Sequence, residues 1–169
     1  MKIETERLVI TELTMDMARA VHENSLDENN RRFVPDEVFE TIEEAKETVA
    51  FLISQYGAFD GPQVYAVLTK AGNRNIGYVQ MVPIEDGCWE IGYHIGGQYT
   101  GRGYATEAVK AFLPVMAKAI GVKEVIGICL KDNIASRRVM EKCGFEPLFI
   151  GVGPYQGEQR EIVRTVWRT

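Results

Sequence analysis

The sequence predicts an α/β fold of the α+β kind: a mixed central sheet of about six to seven strands with helices on both faces. Three observations lead there. Strand-like and helix-like segments follow one another in the order β, α, α, three strands, α, β, α, β, β. Between residues 63 and 96, three strand-like runs are joined only by short turns, the signature of an antiparallel meander. The later strands alternate with helices, which calls for mixed pairing and helical cover on both faces.

The elements follow in order. Residues 5–13 alternate apolar and polar side chains and read as a strand. Residues 15–29 read as a helix, and Asn29-Asn30-Arg31-Arg32 as a loop. Thr41-Ile42-Glu43-Glu44 is a capping box, so a second helix is expected to run to about residue 56. Gly61-Pro62 breaks the pattern. Strands are expected at 63–69, 75–84 and 88–96, with turns at Ala71-Gly72-Asn73 and Glu85-Asp86-Gly87. From 103 to 120, Ala105, Ala108, Val109, Phe112, Met116 and Ala119 recur at helical spacing. Pro114 has no N–H to donate and is expected to kink that helix or end it early. Residues 123–130 read as a buried strand and 133–143 as a helix, with Gly144 as a left-handed cap. Residues 145–152 and 159–168 form a closing hairpin around the loop Gly153-Pro154-Tyr155-Gln156-Gly157. Trp89, Tyr93 and Phe112 read as core. No repeat or linker divides the chain.

Composition narrows the function classes. At 169 residues, 46% hydrophobic and 25% charged, the chain is ordinary for one globular domain. No apolar run approaches the length of a membrane span, and the first residues lack a secretory apolar stretch. Cys88, Cys129 and Cys143 are odd in number and not spaced as metal ligands, so a reduced, cytoplasmic protein with no metal site is expected. A net charge of −5 argues against a dedicated nucleic-acid binder. The charge is uneven. Residues 1–60 hold 14 acids against 6 Lys/Arg, and the remainder 10 against 13. Either these are solvated faces, or an anionic ligand is drawn to the rear half and a cationic one to the front.

Two motifs stand in the basic part. Gln98-Tyr99-Thr100-Gly101-Arg102-Gly103-Tyr104-Ala105 is a glycine-containing turn that opens a helix. Unpaired N–H groups at a helix start, with glycines that let a ligand approach, form an anion cradle. A plain strand–turn–helix with glycines for close packing is the alternative. A dinucleotide site of the Rossmann kind lacks its third glycine here, and the turn follows several strands instead of the first. A Walker loop lacks its Gly-Lys-Ser/Thr. The second motif, Asn133-Ile134-Ala135-Ser136 with Val139-Met140-Glu141-Lys142-Cys143-Gly144-Phe145, opens another helix about thirty residues on.

Together these motifs resemble the GNAT superfamily of acyl-CoA-dependent N-acetyltransferases. Gln98-x-x-Gly101-x-Gly103/Ala105 is similar to its pyrophosphate signature, and the Asn133–Phe145 pattern to its second motif. Glu6-Arg7-Leu8-Val9-Ile10, Trp89-Glu90-Ile91-Gly92-Tyr93 and Gly153-Pro154-Tyr155-Gln156-Gly157 look like the branch that includes ribosomal-protein N-terminal alanine acetyltransferases.

The resemblance implies one acetyltransferase domain over residues 1–169, with the acyl-CoA N-acyltransferase-like fold. Acetyl-CoA would be the co-substrate, and a basic peptide N-terminus or small amine the acceptor. Coenzyme A would lie where the 88–96 and 123–130 strands splay apart. Its pantetheine would pair with Tyr93, His94 and Ile95, and its pyrophosphate would rest on Gln98, Gly101, Arg102, Gly103, Tyr104, Ala105 and Thr106, with Asn133 and Ser136 completing the site. Arg102, Lys110, Arg137 and Arg138 are candidates for the remaining phosphate or are solvated helix cations.

Glu90 is the candidate base, with a salt-bridged strand residue as the alternative. The family's tyrosine acid is replaced by Met140, leaving Ser136 as proton donor, cofactor contact or first-turn cap. His94 is a second base candidate or a half-buried strand histidine. Tyr155 borders the acceptor site or packs in its turn. The resemblance also admits a homodimer. A non-catalytic acyl-CoA-binding module is the alternative reading, motivated by Met140.

Overall fold

The computed structural model describes residues 1–169. Eight strands form one sheet: β1 (Lys2–Glu4), β2 (Leu8–Glu12), β3 (Gln63–Thr69), β4 (Asn75–Pro83), β5 (Trp89–Ile95), β6 (Glu124–Leu130), β7 (Glu146–Tyr155) and β8 (Glu158–Arg168). Their order is β1-β2-β3-β4-β5-β6-β8-β7. Every neighbouring pair is antiparallel except β5 with β6. The helices are α1 (Ala18–Ser25), α2 (Glu28–Phe33), α3 (Ile42–Ser54), α4 (Tyr104–Ile120) and α5 (Ile134–Lys142). No helix is long and apolar enough to cross a membrane.

Both sheet faces are buried, as β3 shows. Val64, Ala66 and Leu68 pack with Val49 of α3 and Ala18 of α1. Tyr65 and Val67, pointing the other way, pack with Phe112 and Met116 of α4. The two-residue alternation of a strand puts successive side chains into opposite cores.

The architecture is the expected one, and the differences are local. Eight strands stand where about six to seven were expected, because β1 folds back on β2. Thr5 makes that turn: Thr5 N–H donates to Leu8 O at 3.0 Å, and Thr5 Oγ1 accepts from Leu8 N–H at 2.9 Å. Residues 29–32 are helix and not loop. Asp27 caps α2 by accepting from Asn30 N–H at 2.7 Å, so the expected helix over 15–29 breaks in two at Leu26.

Pro114 does not end α4, which continues to Ile120. Pro114 and Lys110 both lie on the exposed side, where water can satisfy the carbonyl that proline leaves free. Ala119 is likewise exposed. The closing hairpin is tighter than expected. β7 runs through Gly153-Pro154-Tyr155, and only Gln156 (φ 49°) and Gly157 (φ 78°) form the left-handed turn.

Candidate active site

The site begins where the sheet fails to pair. β5 and β6 run in parallel but match at one position, Glu90 with Ile126. On its other side β5 is bonded to β4 along its length. Gly96 N–H donates to Ile76 O at 2.8 Å, and Cys88 O accepts from Ile84 N–H at 2.9 Å. Alternation along an antiparallel strand therefore turns the peptide groups of Ile91, Tyr93 and Ile95 toward β6. Past Ile91, β6 has moved away and the peptide groups of Tyr93 and Ile95 face a gap. His94 turns its peptide toward Tyr78 of β4 instead. A cavity of about 790 Å³ opens at this gap and reaches both faces of the sheet.

Gly77 makes the approach of β4 to β5 feasible. A Cβ there would lie 1.9 Å from His94 O.

At the end of the gap the chain turns through residues 97–99 into α4. Gly101 (φ 74°) and Gly103 (φ 80°) are both left-handed, which glycine adopts without strain. The N–H groups of residues 101–106 find no acceptor within the chain. That row of bare donors at the start of a 17-residue helix fits a diphosphate. The loop is braced from behind by Arg7, which the motif reading did not single out for this role. Arg7 Nη1 donates to Arg102 O at 2.9 Å, its guanidinium meets Glu107 at 2.6 Å, and it lies 4.5 Å from the Tyr104 ring centroid. Glu107 also accepts from Thr5 Oγ1 and from Arg7 N–H. Lys110 borders a second, shallower hollow of about 390 Å³ beside Gly103 and Thr106. Arg137 donates to Lys131 O at 3.1 Å.

The two candidate catalytic residues approach the gap from opposite faces. Tyr93 points toward α5. Its hydroxyl is 2.9 Å from Ser136 Oγ and donates to Ser136 O at 3.0 Å. Asn133 caps α5 by accepting from Ser136 N–H at 3.2 Å, which leaves the Ser136 hydroxyl to Tyr93. Tyr93 is thus a cavity-lining residue and not only core, and burial pushes its hydroxyl up, outweighing the bond to Ser136. Met140 is 2% exposed, with Sδ 3.2 Å from Thr165 Oγ1.

Glu90, Gly92 and His94 point the other way. His94 Nε2 lies 3.0 Å from Asn24 O and 3.0 Å from Asp27 Oδ2, so its ring is engaged by the α1–α2 corner. Burial alone would push Asp27 up, but hydrogen bonds from His94, Asn30 N–H and Gly97 N–H outweigh it and hold the carboxyl low. Glu90 is pushed up to about 7 by burial first, then by the charges of Glu37 and Asp36, against Arg164. Glu37 is raised to about 7 as well, by burial and Asp36, against the hydrogen bond from Gln80 and the charge of His94. Nothing in the sequence pattern marks Glu37 or Gln80; only the packing of the Pro35–Glu37 turn against β4 and β5 brings them there.

Tyr155 lines the same cavity and ties β7 to α2, its hydroxyl donating to Phe33 O at 2.6 Å. No group of three or more His, Cys, Asp or Glu is placed to hold a metal ion.

Comparison with known proteins agrees with this geometry. A family model described as an acetyltransferase (GNAT) domain matches residues 7–146. An uncharacterized N-acetyltransferase, YnaD of Bacillus subtilis (strain 168), is 33% identical over 145 residues, 85% of this chain and 82% of the relative. A GNAT-family acetyltransferase from Bacillus anthracis, 26% identical, superposes with a TM-score of 0.84 over 99% of this chain and 98% of its own. RimL, a ribosomal L7/L12 α-N-protein acetyltransferase solved with coenzyme A, gives 0.84 at 18% identity, over 99% and 98%.

Proposed function

Because the chain belongs to the GNAT acetyltransferase family, we propose that it acetylates a primary amine, on a protein N-terminus or a small molecule, by direct attack within a ternary complex. Acetyl-CoA is the co-substrate of this family and supplies an activated thioester. The bare N–H groups of residues 101–106 and the unpaired peptide edge at Tyr93 and Ile95 fit its diphosphate and its amide-bearing arm.

The observation that carries the reading is the position of Glu90, at the one pairing that closes the mouth of the gap. An amine arrives as an ammonium ion and must lose a proton before it can attack. Glu90, raised to about 7, is matched to take it. Nitrogen then bonds to the carbonyl carbon, and a Tyr93–Ile95 N–H holds the oxyanion; one such donor is worth about 3 kcal/mol. As the C–S bond breaks, the leaving sulfur takes a proton from Ser136, whose hydroxyl Tyr93 orients and which regains its proton from solvent, or departs as thiolate. The second amine proton goes to solvent. Cys129 also lines the cavity, but burial pushes its thiol up to about 11, which argues against a covalent acetyl relay.

Thiol release in the presence of acetyl-CoA and a panel of amines tests the reading. Intersecting initial-velocity patterns are expected. Parallel patterns, or acetyl label retained on Cys129, would refute direct transfer. The three free thiols support a reducing, cytoplasmic setting. The exposed Leu148, Phe149, Ile150 and Val152 on edge strand β7 support a homodimer, which sedimentation would read.

A further inference from the structure

The cavity's end on the α1–α2 face is rich in hydrogen-bond acceptors, and several of the neighbouring donors are already engaged. Asp36 and Glu37 enter from the Pro35–Glu37 turn, and Glu90 from β5. Gln80 Nε2 donates to Glu37 Oε1 at 3.0 Å. It reaches there across Gly92, where a Cβ would lie 2.6 Å from that nitrogen. Asn30, 1% exposed, donates through Nδ2 to Ser25 O at 2.9 Å and Glu37 O at 3.1 Å. Its Oδ1 is buried with no donor. The Tyr155 hydroxyl hydrogen goes to Phe33 O, and Arg32 goes to Asp132 at 2.7 Å. The cations facing the carboxylates are Arg164 of β8 and His94, the latter held by Asn24 and Asp27.

A ligand in such a pocket must bring N–H hydrogens and positive charge, and a carboxylate near its reacting nitrogen would be repelled. We infer that the acceptor is a primary amine carrying further positive charge, its reacting nitrogen at Glu90 and its second cation held by Glu37 and Asp36, and that Glu37 is the residue that selects it. This rests on the acetyl-transfer reading above. The charge of Glu37 raising Glu90 supports it, because a cation beside these two half-buried carboxylates relieves the cost of ionising them.

Three amines with the same four-carbon chain test the inference: 1,4-diaminobutane, butylamine and 4-aminobutanoate, with a positive, neutral and negative far end. Thiol release is measured for wild type, Glu37→Gln and the charge-keeping Glu37→Asp. Wild type is expected to show the lowest KM for the diamine and the highest for aminobutanoate, each step about tenfold, the scale of one charge-assisted hydrogen bond. Glu37→Gln is expected to level the three while the acetyl-CoA KM stays put; Glu37→Asp keeps the order. Melting temperatures of the coenzyme A-saturated proteins with each amine read binding without turnover, and the diamine should stabilise wild type and Glu37→Asp but not Glu37→Gln.

Equal KM values in wild type, or an order that survives in Glu37→Gln, overturn the inference and leave acetyl transfer standing. Diamine stabilisation that depends on Glu37 without turnover of any amine, N-terminal peptides included, supports the pocket and overturns the acetyl-transfer reading instead. Neither turnover nor stabilisation with any of them overturns both.

Discussion

Replacing Glu90 by glutamine is expected to abolish most activity and yet make the protein more stable above neutral pH. Above neutral pH the native state must ionise two half-buried carboxyls, Glu37 and Glu90, that line the same cavity. A carboxyl that titrates near 7 instead of 4.5 costs the native state about 3 kcal/mol once ionised. Part of that cost is the charge of Glu37, and the rest is mainly burial. Against this stands the burial of a neutral amide with imperfect partners, roughly 1–2 kcal/mol. The net expected gain at pH 8 is about 1–3 kcal/mol, or roughly 2–10 °C in Tm for a chain of this size.

The sign follows from linkage. A carboxyl whose native pKa is raised lends stability that is complete below about 4.5 and is lost as pH climbs through 7. Wild-type and variant melting curves should therefore lie closest at pH 5, separate up to about pH 7 and run level from there to pH 8.5, with the variant higher. Circular-dichroism melts of both proteins across that range check it, alongside thiol-release rates. A variant that melts below wild type at pH 8, or a gap indifferent to pH, would refute the buried-pair argument.

Other outcomes follow from the same geometry. The pH profile of kcat/KM should carry an acid limb near 7 that stays in place when amines of different basicity are compared, and that disappears in Glu90→Gln. Ser136→Ala and Tyr93→Phe should each lower kcat by about tenfold, with a double variant little worse than either single one, since the two hydroxyls act as a unit 2.9 Å apart. Arg7→Ala frees the Arg102 carbonyl and leaves Glu107 without its guanidinium; calorimetry should show acetyl-CoA affinity down by about tenfold, with the amine KM little changed. Gly77→Ala would drive a methyl into the His94 carbonyl and should cost more than about 3 kcal/mol in a denaturant melt, an effect a Gly72→Ala control would not reproduce.

What could be read from the sequence was what is written locally. The Thr41 capping box, the helical spacing from Ala105 to Met116, the glycines at 101 and 103, and Asn133 before α5 are contacts between residues a few positions apart. Each is present in the fold as expected. The order of the two motifs then carried the family, because a helix-start cradle and a second capped helix at that spacing are one arrangement. One local signal was missed: Asp27, three residues before Asn30, caps α2 where a loop was expected. Elsewhere the surroundings decided: Pro114 stays within α4 on its exposed side, where solvent can reach the freed carbonyl. Tyr93 lines a cavity as well as packing against the core, because a gap opened beside it.

The chemistry beyond Glu90 was decided by tertiary structure alone. Glu37 lies 53 positions from Glu90 and shares a cavity with it in the fold, where Gln80, reaching over Gly92, and Asn30 hold it. Arg7 meets Glu107 from the far end of the chain. A sequence records which groups are available and how neighbouring residues bend. It does not record how deeply two carboxylates are buried together, and burial beside a like charge is what sets their acidity.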